Sequence, residues 1–145
     1  MRLWHYELIP YLPKSQLLAQ WRELNSIFKK QDKHILINYV YEYPKLDFYC
    51  YTKIVIDEMK KRGYKIGDKS KENANNYFKD VEFLYGVYGF NGIPFKNHHN
   101  YRYLLQCFYN LQEKYDRGQN DFSEEIYCKL EGFVWDCLEK KIRPS

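Results

Sequence analysis

The sequence contains no pattern of a metal site. It has four cysteines and four histidines, but neither set includes a CxxC pair or the spacing of zinc ligands. The cysteines lie in apolar stretches typical of helices, which predicts that all four are buried, reduced thiols: Cys50, Cys107, Cys128 and Cys137. We therefore expect no bound metal.

The sequence also lacks any long apolar run. Mean hydropathy is −0.73 and 29% of the residues are charged, and no run approaches the roughly 20 apolar residues that a membrane span needs. The opening MRLWHYELIPYLP has neither the long apolar core nor the small-residue cleavage site of a secretory signal. We expect a soluble, cytoplasmic protein that makes no membrane contact and begins at Met1.

Internal repeats, heptads and low-complexity segments are absent as well. A chain of 145 residues has the length of a single domain. It is long enough to bury roughly two thirds of the surface that the unfolded chain exposes. We predict a single domain over residues 1–145.

Aromatic residues and an uneven charge distribution are the conspicuous features that are present. Aromatic residues make up 19% of the chain and the net charge is +4. Residues 1–62 hold 11 Lys or Arg against 7 acids, whereas the remainder has 12 of each. A basic half interleaved with tryptophans and tyrosines fits a surface that neutralises phosphates and stacks on bases. The alternative is an ordinary solvated, lysine-rich face.

Apolar periodicity predicts an all-α, compact bundle of four or five helices. The first helix spans 13–30, with Leu17, Trp21, Leu24 and Phe28 on one face. A second runs from about 46 to 62 and is capped by Gly63, a weaker one covers about 74–85, and another spans 99–117. Residues 31–45 could be a strand, a loop or a helical piece.

The two ends of the chain carry further predictions. Pro10 and Pro13 indicate that the first twelve residues form an extended arm, and the apolar composition of the arm indicates that it packs on the bundle. A last helix is predicted from Asp121 to about residue 141, with Asp121 as its N-cap and Glu124 completing a capping box.

Glu23 stands out on the first helix because it lies outside the apolar seam. It projects beside Ile27 and follows Arg22 in sequence. A carboxylate at the margin of an aromatic face, with a guanidinium beside it, is the best candidate for an active-site acid. The alternative is a surface residue paired with a nearby cation.

The segment LLAQWRELNSIF, with the later EMKKRGYKI, resembles the phage-type pyrimidine-dimer DNA glycosylases, small all-α enzymes also called endonuclease V. In that family the first helix carries a tyrosine-arginine-glutamate-leucine run, matched here by residues 21–24. The second helix ends in a lysine-arginine-glycine-aromatic run, matched by residues 61–64. The resemblance covers about residues 1–66 and then only Leu111, Glu113 and Lys114. The helix at about 121–141 is an addition to the family core.

The resemblance implies a specific chemistry. Family members use the α-amino group of the N-terminal residue as the nucleophile and a first-helix glutamate, matched by Glu23, as the acid/base group. They excise the base through a Schiff base and cleave the strand by β-elimination, without a metal or cofactor. The family's nucleophile is a small residue followed by arginine and an aliphatic residue, so Arg2 and Leu3 place Met1 at its position. We expect Met1 to be retained because Arg2 is large.

The resemblance also implies a DNA-binding set, in which two family arginines are replaced by Ser26 and Asn110. Trp21 in place of a tyrosine and Gln16 in place of a histidine indicate a reshaped lesion pocket. The expected DNA contacts are Arg2, Arg22, Lys29, Lys30, Lys33 and Lys114. The expected lesion-pocket residues are Trp4, His5 and Trp21, although packing in the arm or core is the alternative for these three.

We therefore predict a DNA repair glycosylase with an associated abasic-site lyase, acting on a damaged, dimer-type pyrimidine in double-stranded DNA. It would act as a monomer in the cytoplasm, associated with the nucleoid. One alternative is a glycosylase of the same mechanism for another modified base. Another is a non-catalytic helical module that binds DNA or protein.

Overall fold

The computed structural model describes residues 2–31, 33–90 and 92–142. Within these ranges the protein has six α-helices, two 3-10 helices and no strand, which confirms the all-α prediction. The α-helices are α1 (Lys14–Lys30), α2 (Lys45–Lys61), α3 (Asp68–Tyr77), α4 (Lys79–Tyr88), α5 (Tyr101–Asp116) and α6 (Glu124–Ile142). None of these helices is long and apolar enough to cross a membrane.

The predicted apolar faces form the core. Leu17, Trp21, Leu24 and Phe28 of α1 are all buried, and rings from three elements meet there, with Phe28 5.6 Å from Phe48 and 5.3 Å from Phe78 between ring centroids. Aromatic contacts of this kind stabilise a core beyond the area that they bury. The first two helices begin and end within about one residue of their predicted bounds.

Two predicted elements differ from the structure. The weak helix at 74–85 is instead the pair α3 and α4, separated at Phe78. The arm is not extended throughout, because residues Tyr6–Tyr11 form a 3-10 helix that contains Pro10. The segment 31–45, which propensity left open, contains the second 3-10 helix, Asn38–Glu42.

The arm is part of the core. Leu3, Leu8 and Ile9 are fully buried, which confirms that the arm packs down. Its 3-10 helix contacts α2, α5 and α6, while α1 packs on α2 and α3. The arm therefore lies between the N-terminal helices and the last two.

The predicted capping box at Asp121 is wrong. Helix α6 begins at Glu124, and the Oγ of Ser123 accepts a hydrogen bond from the N–H of Ile126. The carboxylate of Asp121 instead accepts bonds of 2.6 Å from both the N–H and the Oγ of Ser15, at the start of α1. Because Pro13, at the N-cap of α1, supplies no side-chain acceptor, a residue 106 positions away fills that role.

The cysteines also differ from the prediction in part. All four are free thiols, and Cys50 and Cys107 are buried. Cys128 is exposed and Cys137 is half-buried, because Cys128 faces away from the buried side of α6, which carries Leu130 and Val134.

Candidate active site

Gln20 of α1 connects the start of the chain to Glu23. Its side chain is fully buried. Its Oε1 accepts a 2.8 Å hydrogen bond from the N–H of Trp4, while its Nε2 lies 3.2 Å from both the carbonyl oxygen of Arg2 and the Oε2 of Glu23. One amide thus fixes the spacing between the arm and the carboxylate.

Other side chains hold the arm backbone next to this amide. The hydroxyl of Tyr51 on α2 lies 2.6 Å from the carbonyl oxygen of Trp4. The hydroxyl of Tyr103 on α5 donates a 2.5 Å hydrogen bond to the carbonyl oxygen of Leu3. The N–H of Tyr6 donates to the Nδ1 of His99 at 3.2 Å. We call Gln20, Tyr51, Tyr103 and His99 the arm clamp. These residues come from α1, α2, α5 and the segment before α5, and they fix residues 2–6.

The two histidines of this region are neutral. Burial lowers the pKa of His5 to about 4, despite opposing hydrogen bonds to the backbone of His99 and Asn100. Burial, followed by the proximity of His5 and His98, depresses the pKa of His99 further. Since the Nδ1 of His99 accepts from Tyr6, its proton belongs on Nε2, which lies 2.7 Å from the hydroxyl oxygen of Tyr39. A neutral His99 can therefore accept the hydrogen bond from Tyr6 and donate one to Tyr39 at the same time.

Glu23 opens onto a cleft of about 300 Å³. The cleft is formed by the arm, α1, the turn after α1, and α5. The described residues that line it are Arg2, Trp4, Glu23, Leu36, Asn110 and Lys114. It brings one carboxyl group, two cations and an indole together at the start of the chain, and we call it the Glu23 cleft.

The pKa of Glu23 is raised. Burial is the main cause, and it outweighs the opposing effects of the Arg2 backbone and the Arg22 guanidinium. Burial raises the pKa of a carboxyl group because it disfavours the charged form. A half-buried carboxyl group that takes up a proton more readily than usual suits general acid/base chemistry.

The Glu23 cleft contains only part of the predicted site. Arg2, Trp4, Glu23 and Lys114 line it together, and the Arg2 guanidinium lies 5.9 Å from the ring centroid of Trp4. Arg2 forms no ion pair among the described residues. Met1, the predicted nucleophile, lies outside the described residues.

The remaining predicted residues lie outside the cleft lining. Arg22, Lys29, Lys30 and Lys33 are exposed, either on α1 or just after it.

Trp21 and His5 are buried. Trp21 lies beneath a second cavity, of about 390 Å³, between α1, α2 and α3. The Nε2 of His5 donates to the carbonyl oxygen of His99 at 3.0 Å. Both residues pack in the described structure, and a role for them in lesion contact stays a prediction.

The second cavity is larger than the Glu23 cleft. Its acidic residues are Asp57 on α2 and Glu82 on α4, and no residue of the arm is among the described residues that line it. The Glu23 cleft, where a carboxyl group with a raised pKa lies beside the Arg2 backbone, is therefore the candidate active site. Among the described residues, no group of three or more His, Cys, Asp or Glu side chains could hold a metal ion.

Sequence patterns gave no indication of the arm clamp or of Leu36. The partners of the clamp residues lie far away in the chain, for example 100 residues away for Tyr103 and Leu3, and no periodicity reveals such contacts. Leu36 follows α1 in a turn that propensity left undefined. Gln20 was detectable only as a polar residue one turn before Glu23.

One comparison with known proteins gives a match. Residues 1–72 match the family described as pyrimidine dimer DNA glycosylase, and these residues include the arm, α1, α2 and the first residues of α3. No curated protein and no solved structure matches the chain. The match confirms the resemblance read from the WREL and KRGY runs, and it supports a DNA repair glycosylase whose substrate is DNA. By this match the first 72 residues of the chain are similar to the pyrimidine dimer DNA glycosylase family.

Proposed function

We propose that this protein is a DNA glycosylase with an associated abasic-site lyase, in which the α-amine of Met1 is the nucleophile and Glu23 is the acid/base group. The observation that carries the proposal is the Gln20 bridge, which holds the Arg2 backbone and the Glu23 carboxylate at 3.2 Å from one amide nitrogen. The bridge lies within the part of the chain that matches the glycosylase family.

Covalent geometry extends this argument to the amine. Three bonds separate an α-amine from the amide nitrogen of the second residue, so the two nitrogens are at most about 4 Å apart in any conformation. The Arg2 backbone faces the Glu23 carboxyl group closely enough to lower its pKa. The proposal therefore assigns the nucleophile to the amine of the residue that precedes Arg2, whose backbone faces Glu23.

The chemistry follows from these two groups. An α-amine has a reference pKa of about 7.7–8.0, so more of it is uncharged at neutral pH than of a lysine near 10.4. Its lone pair attacks C1′ of the damaged nucleotide, and the N-glycosidic bond breaks with its electrons leaving on the base. Glu23 assists sugar opening by proton transfer, which produces the imine. Loss of a proton from C2′ then expels the 3′-phosphate with the C3′–O electrons.

The surrounding side chains have separate binding roles in this proposal. Arg2 and Lys114 contact phosphates beside the reacting sugar, and Trp4, of which only 8% is exposed, forms part of the cleft wall that faces the lesion. The exposed cations contact the strand outside the cleft: Arg22, Lys29, Lys30 and Lys33. A dimer-type pyrimidine is the proposed lesion. Asn110, which lines the cleft at a position where the family has arginine, favours another modified base as the second candidate.

Borohydride trapping tests the chemistry. Untagged protein is incubated with duplexes that contain a pyrimidine dimer, another modified base or an abasic site, and is then reduced. We expect a covalent adduct whose mass locates the link at residue 1. A variant extended by two residues before Met1 should give no adduct.

Full activity of the extended variant would assign the nucleophile to a lysine. No adduct with any substrate would refute the lyase and favour a module that only binds DNA.

A further inference from the structure

The turn between α1 and the second 3-10 helix exposes two adjacent aliphatic side chains. Ile35 is 85% exposed and Leu36 is 43% exposed. Turns usually carry polar residues or glycine, and large aliphatic groups in water forgo the stabilisation that burial would give. The packing of the fold does not account for this pair.

The turn holds the two side chains outward. The N–H groups of Ile37 and Asn38 both donate to the carbonyl oxygen of His34 at 2.8 Å, and the N–H of His34 donates to the Oδ1 of Asn38 at 2.8 Å. The next side chain, Ile37, is fully buried and anchors the turn. These bonds keep Ile35 and Leu36 from folding back onto the core.

The pair forms a ridge beside the Glu23 cleft. Leu36 lines that cleft, and it also lines a neighbouring one of about 220 Å³ together with Ile35. The far wall of the neighbouring cleft is polar and includes Asn97, Arg102 and Gln106. Other exposed apolar residues, such as Phe83 and Tyr88, do not line the Glu23 cleft.

The charge around the ridge identifies its partner. The sequence KKQDK at 29–33 precedes the turn and carries three lysines against one acid, and Lys29, Lys30 and Lys33 form no ion pair among the described residues. Exposed cations around an apolar ridge suit a polyanion with a stacked apolar interior. Duplex DNA has that chemistry, and proteins that distort it insert apolar wedges between base pairs.

We propose that Ile35 and Leu36 are a wedge that enters the base stack beside the lesion while the damaged nucleotide turns its C1′ toward Glu23. This inference rests on the proposed glycosylase function. Turning a nucleotide out of the stack costs a few kcal/mol, and an apolar side chain that fills the gap offsets part of that cost.

The test separates unstacking from chemistry. The variants are Ile35→Ala and the double variant Ile35→Ala/Leu36→Ala, with Ile142→Ala, 67% exposed at the end of α6, as the matched control. We measure single-turnover excision from a pyrimidine-dimer duplex and borohydride trapping on a single-stranded abasic oligonucleotide. Ile35→Ala, which lies outside the lining of the Glu23 cleft, should lose about tenfold or more on the duplex and change less than about twofold on the single strand, which has no stack to open. The double variant should lose more on the duplex than Ile35→Ala does.

A second readout reports the inserted state directly. In a Glu23→Gln background, binding to a duplex with 2-aminopurine next to the lesion should raise its fluorescence, and the double wedge variant should reduce that rise. Wild-type duplex rates in both variants would overturn the wedge, and so would equal losses on duplex and single-stranded DNA. A wild-type protein inactive on every substrate would instead refute the proposed function.

Discussion

At the scale of single residues, Glu23 combines its proposed catalytic role with a cost to the stability of the fold. Burial raises its pKa, so the ionised form that exists well above that pKa is less stable in the folded protein than in water. A group with a raised folded-state pKa stabilises the fold below its unfolded pKa, and this contribution is lost as the pH rises through the folded value. The fold therefore keeps Glu23 at the expense of stability at neutral and alkaline pH.

Glu23→Gln should abolish turnover without weakening the fold. We expect excision and adduct formation to fall about 100-fold or more, with the affinity for lesion DNA retained. Because the amide is never charged, the melting temperature of the variant relative to the wild type should rise as the pH increases through the range in which the carboxyl group ionises. Thermal unfolding over a pH series and single-turnover assays measure these quantities.

The control for this variant is Glu139→Gln, an exposed residue of α6, which should match the wild type in both assays. Retained turnover in Glu23→Gln would refute the acid/base role. A melting temperature that falls relative to the wild type as the pH rises would contradict the burial argument.

Residue-scale prediction worked where the information was local. Glu23 stood out because helical spacing alone separates it from Leu17, Trp21 and Leu24, and the structure keeps that separation. The prediction for Asp121 was wrong because its D-x-x-E pattern is a local capping pattern, whereas its actual partner, Ser15, is 106 residues away. Hydrogen bonds from Ser15 and Gln119 outweigh burial and hold the pKa of Asp121 below its usual value. A sequence pattern does not reveal which of two helices an acid caps.

At the scale of elements, the arm is the segment whose conformation was hardest to predict from the sequence. Its burial followed from its apolar composition, but its 3-10 helix and its clamp depend on contacts with α1, α2 and α5. Prolines at positions 10 and 13 fix local angles and give no information about such contacts. In the proposed mechanism, the arm clamp positions the backbone that leads to the nucleophilic amine.

Removing one hydroxyl from the arm clamp tests this positioning role. Tyr51→Phe deletes the group that lies 2.6 Å from the carbonyl oxygen of Trp4 and 2.9 Å from the Oε1 of Gln20. We expect a decrease of about 1–3 kcal/mol in the free energy of unfolding, because a buried carbonyl loses a partner. The trapping rate at saturating DNA should fall several-fold while the DNA affinity stays the same.

Tyr88→Phe is the matched control for Tyr51→Phe, since it removes a hydroxyl from a side chain that is 77% exposed. It should change neither stability nor trapping. A Tyr51→Phe protein that loses stability but traps at the wild-type rate would assign Tyr51 a purely structural role.

At the scale of the whole molecule, the two halves of the chain meet at the arm. The family match ends at residue 72, yet Lys114 and Asn110 of α5 complete the Glu23 cleft. One hydrophobic cluster includes Leu17 and Val55 from the first half and Leu104 and Leu130 from the second. The single domain over 1–145, with α6 as an addition, stays a prediction that this shared cluster supports.

The uneven charge distribution predicts which lysines contribute most to DNA binding. The basic excess lies in residues 1–62, and this part of the chain contains the exposed lysines beside the proposed wedge. Replacing Lys29, Lys30 and Lys33 by glutamine should lower the slope of log affinity against log salt by about 0.9 for each phosphate that is no longer neutralised. The slope is measured by fluorescence anisotropy on lesion duplexes between about 50 and 200 mM salt. Affinity falls steeply over this range when the protein neutralises phosphates.

The control is the double variant Lys129→Gln/Lys140→Gln on α6, outside the Glu23 cleft, and it should leave the slope unchanged. Equal reductions per lysine in both variants would mean that DNA binding follows total charge, and that the basic N-terminal surface has no special part in it.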